Sequence, residues 1–204
     1  MTQTDPLIDP LAPVIAALGR PARPSSDYDL NPQVVLPENR KLRRAGVLVP
    51  FIMREGGVRV ILTKRSSRLK HHPGQIAFPG GKVDPTDADE TAAAIREAEE
   101  EIGLPRDAVE VLGTFPSHET VTGFTMTPVL ARVTRDFTAV SEPGEVAEVF
   151  EVPLAHLSNP ENFLIQRRRW RGTDRHYYIV PWGPYYIWGA TARVLRSLAD
   201  RMEG

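Results

Sequence analysis

Gly80-Gly81-Lys82-Val83-Asp84-Pro85-Thr86-Asp87, running on into Arg96-Glu97-Ala98-Glu99-Glu100-Glu101-Ile102-Gly103-Leu104, is the stretch on which the reading of this chain turns. A glycine pair allows a tight bend, a Pro/Asp loop follows, and a helix then carries a dense set of carboxylates. Asp87 is the expected N-cap, with Glu90 three residues on as the second half of a capping box. Gly103 stands where a left-handed C-terminal stop belongs. Ala94, Ile95, Ala98 and Ile102 recur at helical spacing and should face a core.

Glu97, Glu100 and Glu101 stand at i, i+3 and i+4, so a helix puts all three carboxylates on one face. Like charges so placed oppose helix formation by about 0.2–0.5 kcal/mol per pair. A hard divalent cation with a preference for oxygen ligands, Mg2+ or Mn2+, would account for such crowding. Arg96 precedes Glu100 by one turn and can hold it. Glu99 points elsewhere, into solvent. Glutamate runs by themselves usually mark a solvated face.

The whole string, however, resembles the Nudix box: a glycine, five residues, a glutamate, seven residues, then Arg-Glu-apolar-x-Glu-Glu-x-Gly-apolar. Gly81 opens it, and Arg96, Glu97, Ala98, Glu100, Glu101, Gly103 and Leu104 match its second half. The loop half departs from it. Asp87 stands in place of the glutamate, and eight residues rather than seven separate it from Arg96. The resemblance implies an α+β fold, a Nudix-type α/β/α sandwich with a mixed central sheet, and a metal-dependent diphosphate hydrolase. It implies Glu97 and Glu101 as metal ligands, with Glu100 as a further ligand or the group that activates water. Arg96 would orient the carboxylates, and the backbone at Gly80-Gly81 would let the substrate approach.

Just before this stretch, Lys64, Arg65, Arg68 and Lys70 gather with His71 and His72 in a chain of net charge −1. A basic loop beside a metal site suits a polyanion, although charged residues also decorate ordinary surface loops. Here too a resemblance sharpens the reading. A coenzyme A-hydrolysing branch of the Nudix family carries Leu-Leu-Thr-x-Arg-Ser, three residues, Arg, three residues, Gly, three residues, Phe-Pro-Gly-Gly. Leu62, Thr63, Arg65, Ser66, Gly74, Phe78, Pro79, Gly80 and Gly81 match, while Ile61 replaces a leucine and Lys70 replaces the arginine. This implies coenzyme A or acyl-CoA as substrate, with Arg65, Ser66, Arg68, Lys70, His72, Gly80 and Gly81 as substrate-binding residues. Coenzyme A carries a 3′-phosphate for such a loop to hold; ADP-ribose and NADH do not. Glu145-Val146-Ala147-Glu148 and Ile187-Trp188-Gly189-Ala190 also look like segments of this branch, making Glu145 a further candidate ligand or general base. Rival readings are a Nudix hydrolase acting on ADP-ribose, NADH or a nucleoside triphosphate, and a non-catalytic nucleotide or metal sensor.

The rest of the chain frames these motifs. Its 204 residues, 41% hydrophobic and 25% charged, suit one globular domain with a substantial core. No apolar run approaches a membrane span, the near-neutral charge gives no nucleic-acid surface, and the absence of cysteine fits a cytoplasmic protein. Residues 1–39 are rich in proline and read as an arm, with a pattern fitting a short helix from about Leu7 to Leu18; residues 40–204 form the domain. The arm suits dimer exchange, a lid or a loose extension. Strands are expected at 46–53, 58–63, 76–78, 109–113, 125–133 and 146–152, then a hairpin of 163–170 and 177–180, then a helix from about Tyr185 to Met202. The aromatic C-terminal third, including Trp170, Tyr177, Tyr186 and Trp188, suits a core, a homodimer surface or an adenine stack. His71, His72 and His118 lack zinc spacing, and Ser117-His118-Glu119 is no more than a set of sequence neighbours.

Overall fold

A computed structural model describes residues 9–37, 39–170 and 172–203. In chain order, helix α1 spans Ala12–Leu18 and strand β1 Ser25–Ser26, before the long strands β2 (Arg43–Arg54) and β3 (Gly57–Arg65). Short strands β4 (Ile76–Ala77) and β5 (Gly80–Lys82) lead into helix α2 (Glu90–Ile102). Strands β6 (Val109–Thr114), β7 (His118–Glu119), β8 (Phe124–Val133) and β9 (Val146–Pro153) follow. Helix α3 (Leu154–Leu157), strands β10 (Leu164–Trp170), β11 (Thr173–Trp182) and β12 (Tyr185–Trp188), and helix α4 (Ala190–Glu203) complete the fold.

Alternation along β2 builds the layers. Val47, Val49 and Phe51 face one core with Val14 of α1, Leu11 just before it, and Leu195 and Leu198 of α4. Leu48 and Ile52 face a second core with Ala94, Ala98 and Ile102 of α2. With period-2 side chains and apolar residues at both parities, β2 must be covered on both faces. The result is an α/β/α sandwich around a nine-stranded mixed sheet, with β2 parallel to β8 and antiparallel to β3 and β5. Gly46 lets α2 lie close, since a Cβ there would sit 1.8 Å from the Glu90 carbonyl oxygen.

On one side β2 changes partner midway, pairing with β5 over residues 45–47 and with β3 over residues 51–54. Pro50 falls in the gap, so its missing N–H costs that side of the ladder nothing. The neighbouring Leu48 N–H donates instead to the Pro79 carbonyl at 2.8 Å. That bond draws the Pro79-Gly80-Gly81 bend onto β2 beside α2.

Three local expectations are corrected. The N-cap of α2 is Asp89, whose carboxylate accepts from Ala92 N at 2.8 Å; Asp87 is occupied elsewhere. Residues 185–188 form a strand, because alternating Tyr185 and Ile187 pair with β11 over Val180 and Trp182, and the helix begins only at Ala190. Gly189, at φ 66°, makes the break between them. The late hairpin is therefore a three-stranded sheet, β10-β11-β12. Gly103 does close α2 in the left-handed region, at φ 68°.

The N-terminal segment is packed against the body of the fold. Leu11, Val14 and Ala17 are buried, although the expected helix start at Leu7 lies outside the described residues. Further on, Ser25 and Ser26 pair in parallel with His118 and Glu119. Buried His118 bonds Ser25 Oγ at 2.9 Å and Asp27 Oδ1 at 3.1 Å, pinning this segment to β7.

Candidate functional site

Helix α2 presents its carboxylates to a cleft of about 550 Å³. Arg96, Glu97, Glu100 and Glu101 form one wall; Asp84, Glu142 and Glu145 face them from two loops. The volume is that of a small-molecule site. Asp84 and Glu142 went unremarked in the sequence. Glu142 had only a weak signal, an Glu-Pro-Gly-Glu turn far from the acidic helix. Its place is set by backbone bonds: Glu142 N–H donates to the Glu101 carbonyl at 2.9 Å, and Val140 N–H to the Ile102 carbonyl at 3.1 Å. Glu145 completes the loop, and its carbonyl accepts from Ser66 N–H at 2.7 Å.

The three glutamates on the shared face differ in setting. Glu101 is 5% exposed and accepts from Gly80 N–H at 3.1 Å. Burial, followed by the neighbouring Glu97 and Glu145 charges, lifts its carboxyl to about 7, against the Gly80 hydrogen bond and the Arg65 charge. Glu97 is half-buried and is likewise raised, chiefly by burial. Glu100, with 57% of its side chain exposed, stands at the cleft mouth.

One guanidinium braces this face. Arg96 donates from Nε and Nη2 to the two oxygens of Asp87, at 3.0 and 2.9 Å, in a bidentate pair. Its Nη1 is then left to reach Glu97 at 3.0 Å and Glu100 at 3.1 Å. Asp87 also accepts from Asp84 N–H, and these bonds hold its carboxyl down near 2. Read from the sequence as a helix cap, Asp87 is instead the anchor of the arginine that spaces the carboxylates. The altered loop therefore keeps a carboxylate opposite Arg96. Glu99 turns away to pair with Arg106 at the surface.

Gly80 and Gly81 make this approach sterically feasible. A Cβ on Gly81 would lie 2.4 Å from Glu97 Oε1, and one on Gly80 would lie 2.5 Å from the Gly46 carbonyl oxygen. The room these glycines leave is taken up by Glu97 and by β2.

The basic segment lies alongside. Arg65 ends β3 and is near enough for its charge to act on Glu101. Ser66 is buried, and its Oγ accepts from Arg68 N–H at 3.3 Å, setting the turn that follows. Arg68, Lys70 and His72 ride on the exposed loop beyond, with His72 in the left-handed region at φ 55°, and none of them lines the cleft. The loop is closed by Arg65 N–H donating to the Gln75 carbonyl at 2.9 Å.

Among the described residues, no three His, Asp or Glu side chains stand close enough together to hold a metal ion as they are placed. The donor set nevertheless suits one. Oxygen ligands line the cleft from three directions, one arginine opposes six carboxylates, and burial raises two of those carboxylates. A divalent cation would relieve that charge.

The NUDIX domain model matches residues 42–182, and the chain belongs to this family. It is a Nudix hydrolase; members of the family act on small-molecule diphosphates and use divalent metal ions. The chain is 44% identical over 160 residues to a protein of Enterobacter sp. (strain 638) named as an uncharacterized Nudix hydrolase, NudL. That match covers 77% of this chain and 81% of its relative. The protein of the same name from Escherichia coli K12 is 43% identical over 174 residues, covering 83% and 88%. A solved MutT/nudix family protein from Enterococcus faecalis shares the fold, with TM-score 0.53 and 17% identity over 84% of this chain and 66% of that one. Among the described residues no helix is long and apolar enough to cross a membrane.

Proposed function

We propose that this Nudix hydrolase cleaves the diphosphate of coenzyme A or acyl-CoA, giving adenosine 3′,5′-bisphosphate and 4′-phosphopantetheine or its acyl form. The observation that carries the reading is the pairing of an acidic cleft with a basic loop tied to it at two points. The Arg65 charge bears on Glu101, and Ser66 is bonded to the Glu145 backbone. Arg68 and Lys70, on the exposed loop beyond Ser66, would take the remaining phosphate of a diphosphate seated over α2. That arrangement favours a nucleotide with a third phosphate over ADP-ribose or NADH.

Glu97 and Glu101 would hold Mg2+ or Mn2+, with Glu100 as a further ligand or as the base for the attacking water. When bound, such an ion would supply charge neutralisation at the diphosphate and lower the pKa of a coordinated water. Arg96, held by Asp87, keeps Glu97 and Glu100 apart and oriented. Glu145, across the cleft, is a second candidate base. Arg65, Arg68, Lys70 and His72 bind the anion, Ser66 shapes their loop, and Gly80 and Gly81 set the carboxylates at the right depth. The protein acts in the cytoplasm.

The test is a side-by-side assay of coenzyme A and ADP-ribose with Mg2+ or Mn2+, reading product masses. Release of adenosine 3′,5′-bisphosphate with a clear preference for coenzyme A is expected. A strong preference for ADP-ribose would overturn the substrate assignment. No cleavage across a broad diphosphate panel would favour a sensor instead.

A further inference from the structure

The three-stranded sheet carries an aromatic layer that the hydrolytic cleft does not use. Cross-strand register puts Leu164, Ile179 and Trp188 in one row on its outer face, between the rows Gln166–Tyr177 and Pro181–Tyr186. The opposite face carries Val180 and Ile187 into the core. On the outer face the Tyr177 and Trp188 rings meet at 5.4 Å and 60°. Tyr177 Oη and Tyr186 Oη are 3.4 Å apart, and Tyr186 Oη donates to Gln166 Oε1 at 2.5 Å. Together these side chains roof Ile179, which is 2% exposed, while Tyr186 remains 43% and Leu164 54% exposed. Three aromatic rings are thus held in place by their own contacts, with Tyr186 exposed and Tyr177 and Trp188 part-buried. Arg168, one row further on the same face, adds positive charge.

This layer adjoins the basic loop. Trp188 is followed by Gly189, where a Cβ would stand 3.8 Å from Nε2 of Gln75, the residue that closes that loop. Thr191 Oγ1 donates to the Ile76 carbonyl at 3.1 Å, fixing the start of α4 against the same segment. In a nucleotide with a 3′-phosphate, that phosphate and the base hang from one ribose. A phosphate on the basic loop therefore leaves the base close by, where it needs a flat apolar surface.

We propose that Tyr177, Tyr186 and Trp188 form the platform on which the adenine ring of the nucleotide substrate stacks, a role that rests on the coenzyme A reading above. Gln166, whose Oε1 is taken by Tyr186, has its amide N–H groups to offer a base edge. Stacking on aromatic side chains is worth about five- to a hundredfold in affinity per base. These residues touch no reacting atom, so they set specificity and KM.

The experiment measures adenosine 3′,5′-bisphosphate binding to the full chain by calorimetry, alongside steady-state cleavage of coenzyme A. Tyr186→Ala and Trp188→Ala should each weaken product binding about tenfold and raise KM by a similar factor, with kcat within about twofold. Tyr186→Phe, which keeps the ring, should stay near wild type. Ribose 3,5-bisphosphate, which lacks the base, should bind all variants alike. Unchanged adenosine 3′,5′-bisphosphate affinity in both alanine variants overturns the platform, as does a wild type that binds no adenine nucleotide. If coenzyme A is left intact while the ring dependence of binding persists, the substrate reading fails and the platform stands.

Discussion

Helix α2 and the segment from Lys64 to Gln75 both concentrate charge, and the structure treats them in opposite ways. On α2 the charges are braced: Asp87 grips Arg96, Arg96 bridges to Glu97 and Glu100, and Gly80 N–H holds Glu101 inside. Of the proposed anion-binding residues, Arg65 and Ser66 are built into the fold, while Arg68, Lys70 and His72 stand out in solvent. Under the proposed function, the contrast follows from what each would hold. A metal ion needs several oxygens converging on it, and the candidate ligands are gathered on one braced face. A phosphate on a long substrate is satisfied by mobile point charges that adjust to it.

If that division is right, perturbing the braced half should damage turnover and perturbing the exposed half should damage affinity. Glu101→Gln and Glu100→Gln should each cut turnover at least about a hundredfold. Wild-type rates in both, measured with saturating metal, would reduce the acidic face to a solvated surface. Stability gives a second way to break the comparison. Below about 7 the folded Glu101 keeps its proton, whereas its unfolded carboxyl ionises above its ordinary value of 4.5. The folded state therefore binds the extra proton between these values. In metal-free protein its contribution is fully present below 4.5 and is lost as pH rises through 7, on the order of 3 kcal/mol. Urea midpoints at pH 5 and pH 8 in chelator should show the loss, and Glu101→Gln should flatten it.

Asp87→Ala should release Arg96 and lower kcat roughly tenfold or more, with KM little changed, as expected when a ligand's supporting partner is removed. An unchanged kcat would show that Arg96 holds the glutamates unaided. Arg68→Ala or Lys70→Ala should raise KM for coenzyme A about three- to tenfold while leaving kcat and the melting temperature near wild type. A fall in kcat as large as that from Asp87→Ala would erase the distinction between the two halves. Glu99→Ala, which removes only an exposed pair with Arg106, should shift stability by no more than about 0.5 kcal/mol and leave activity untouched.

Much of the fold was legible because its signals are local. The strand at 46–53 and the Gly103 stop both describe short-range backbone preference, and each appears where expected. The spacing of Glu97, Glu100 and Glu101 was equally readable, since a helix turns it into a shared face. The misread residues were those for which two nearby partners compete and the folded geometry settles the choice. Asp87 has good cap chemistry and a suitable position, yet a bidentate bond to Arg96 outweighs a single N-cap bond. Tyr185 to Trp188 continues the apolar pattern of the last helix, but pairing with β11 draws it into a strand.

Sequence alone thus determined the family, the layered α+β class, and the helix that gathers the carboxylates. Spacing along one helix gathers the carboxylates, and the resemblance of the whole string from Gly81 to Leu104 implies the family and the fold class. Tertiary structure decided which carboxylate is buried, which acid anchors Arg96, and that Asp84, Glu142 and Glu145 close the far side of the cleft. These depend on where β2 changes partner and on how two loops dock against the end of α2. Desolvation and hydrogen bonding across the fold, rather than residue type, make Glu101 a carboxyl near 7 and Asp87 one near 2.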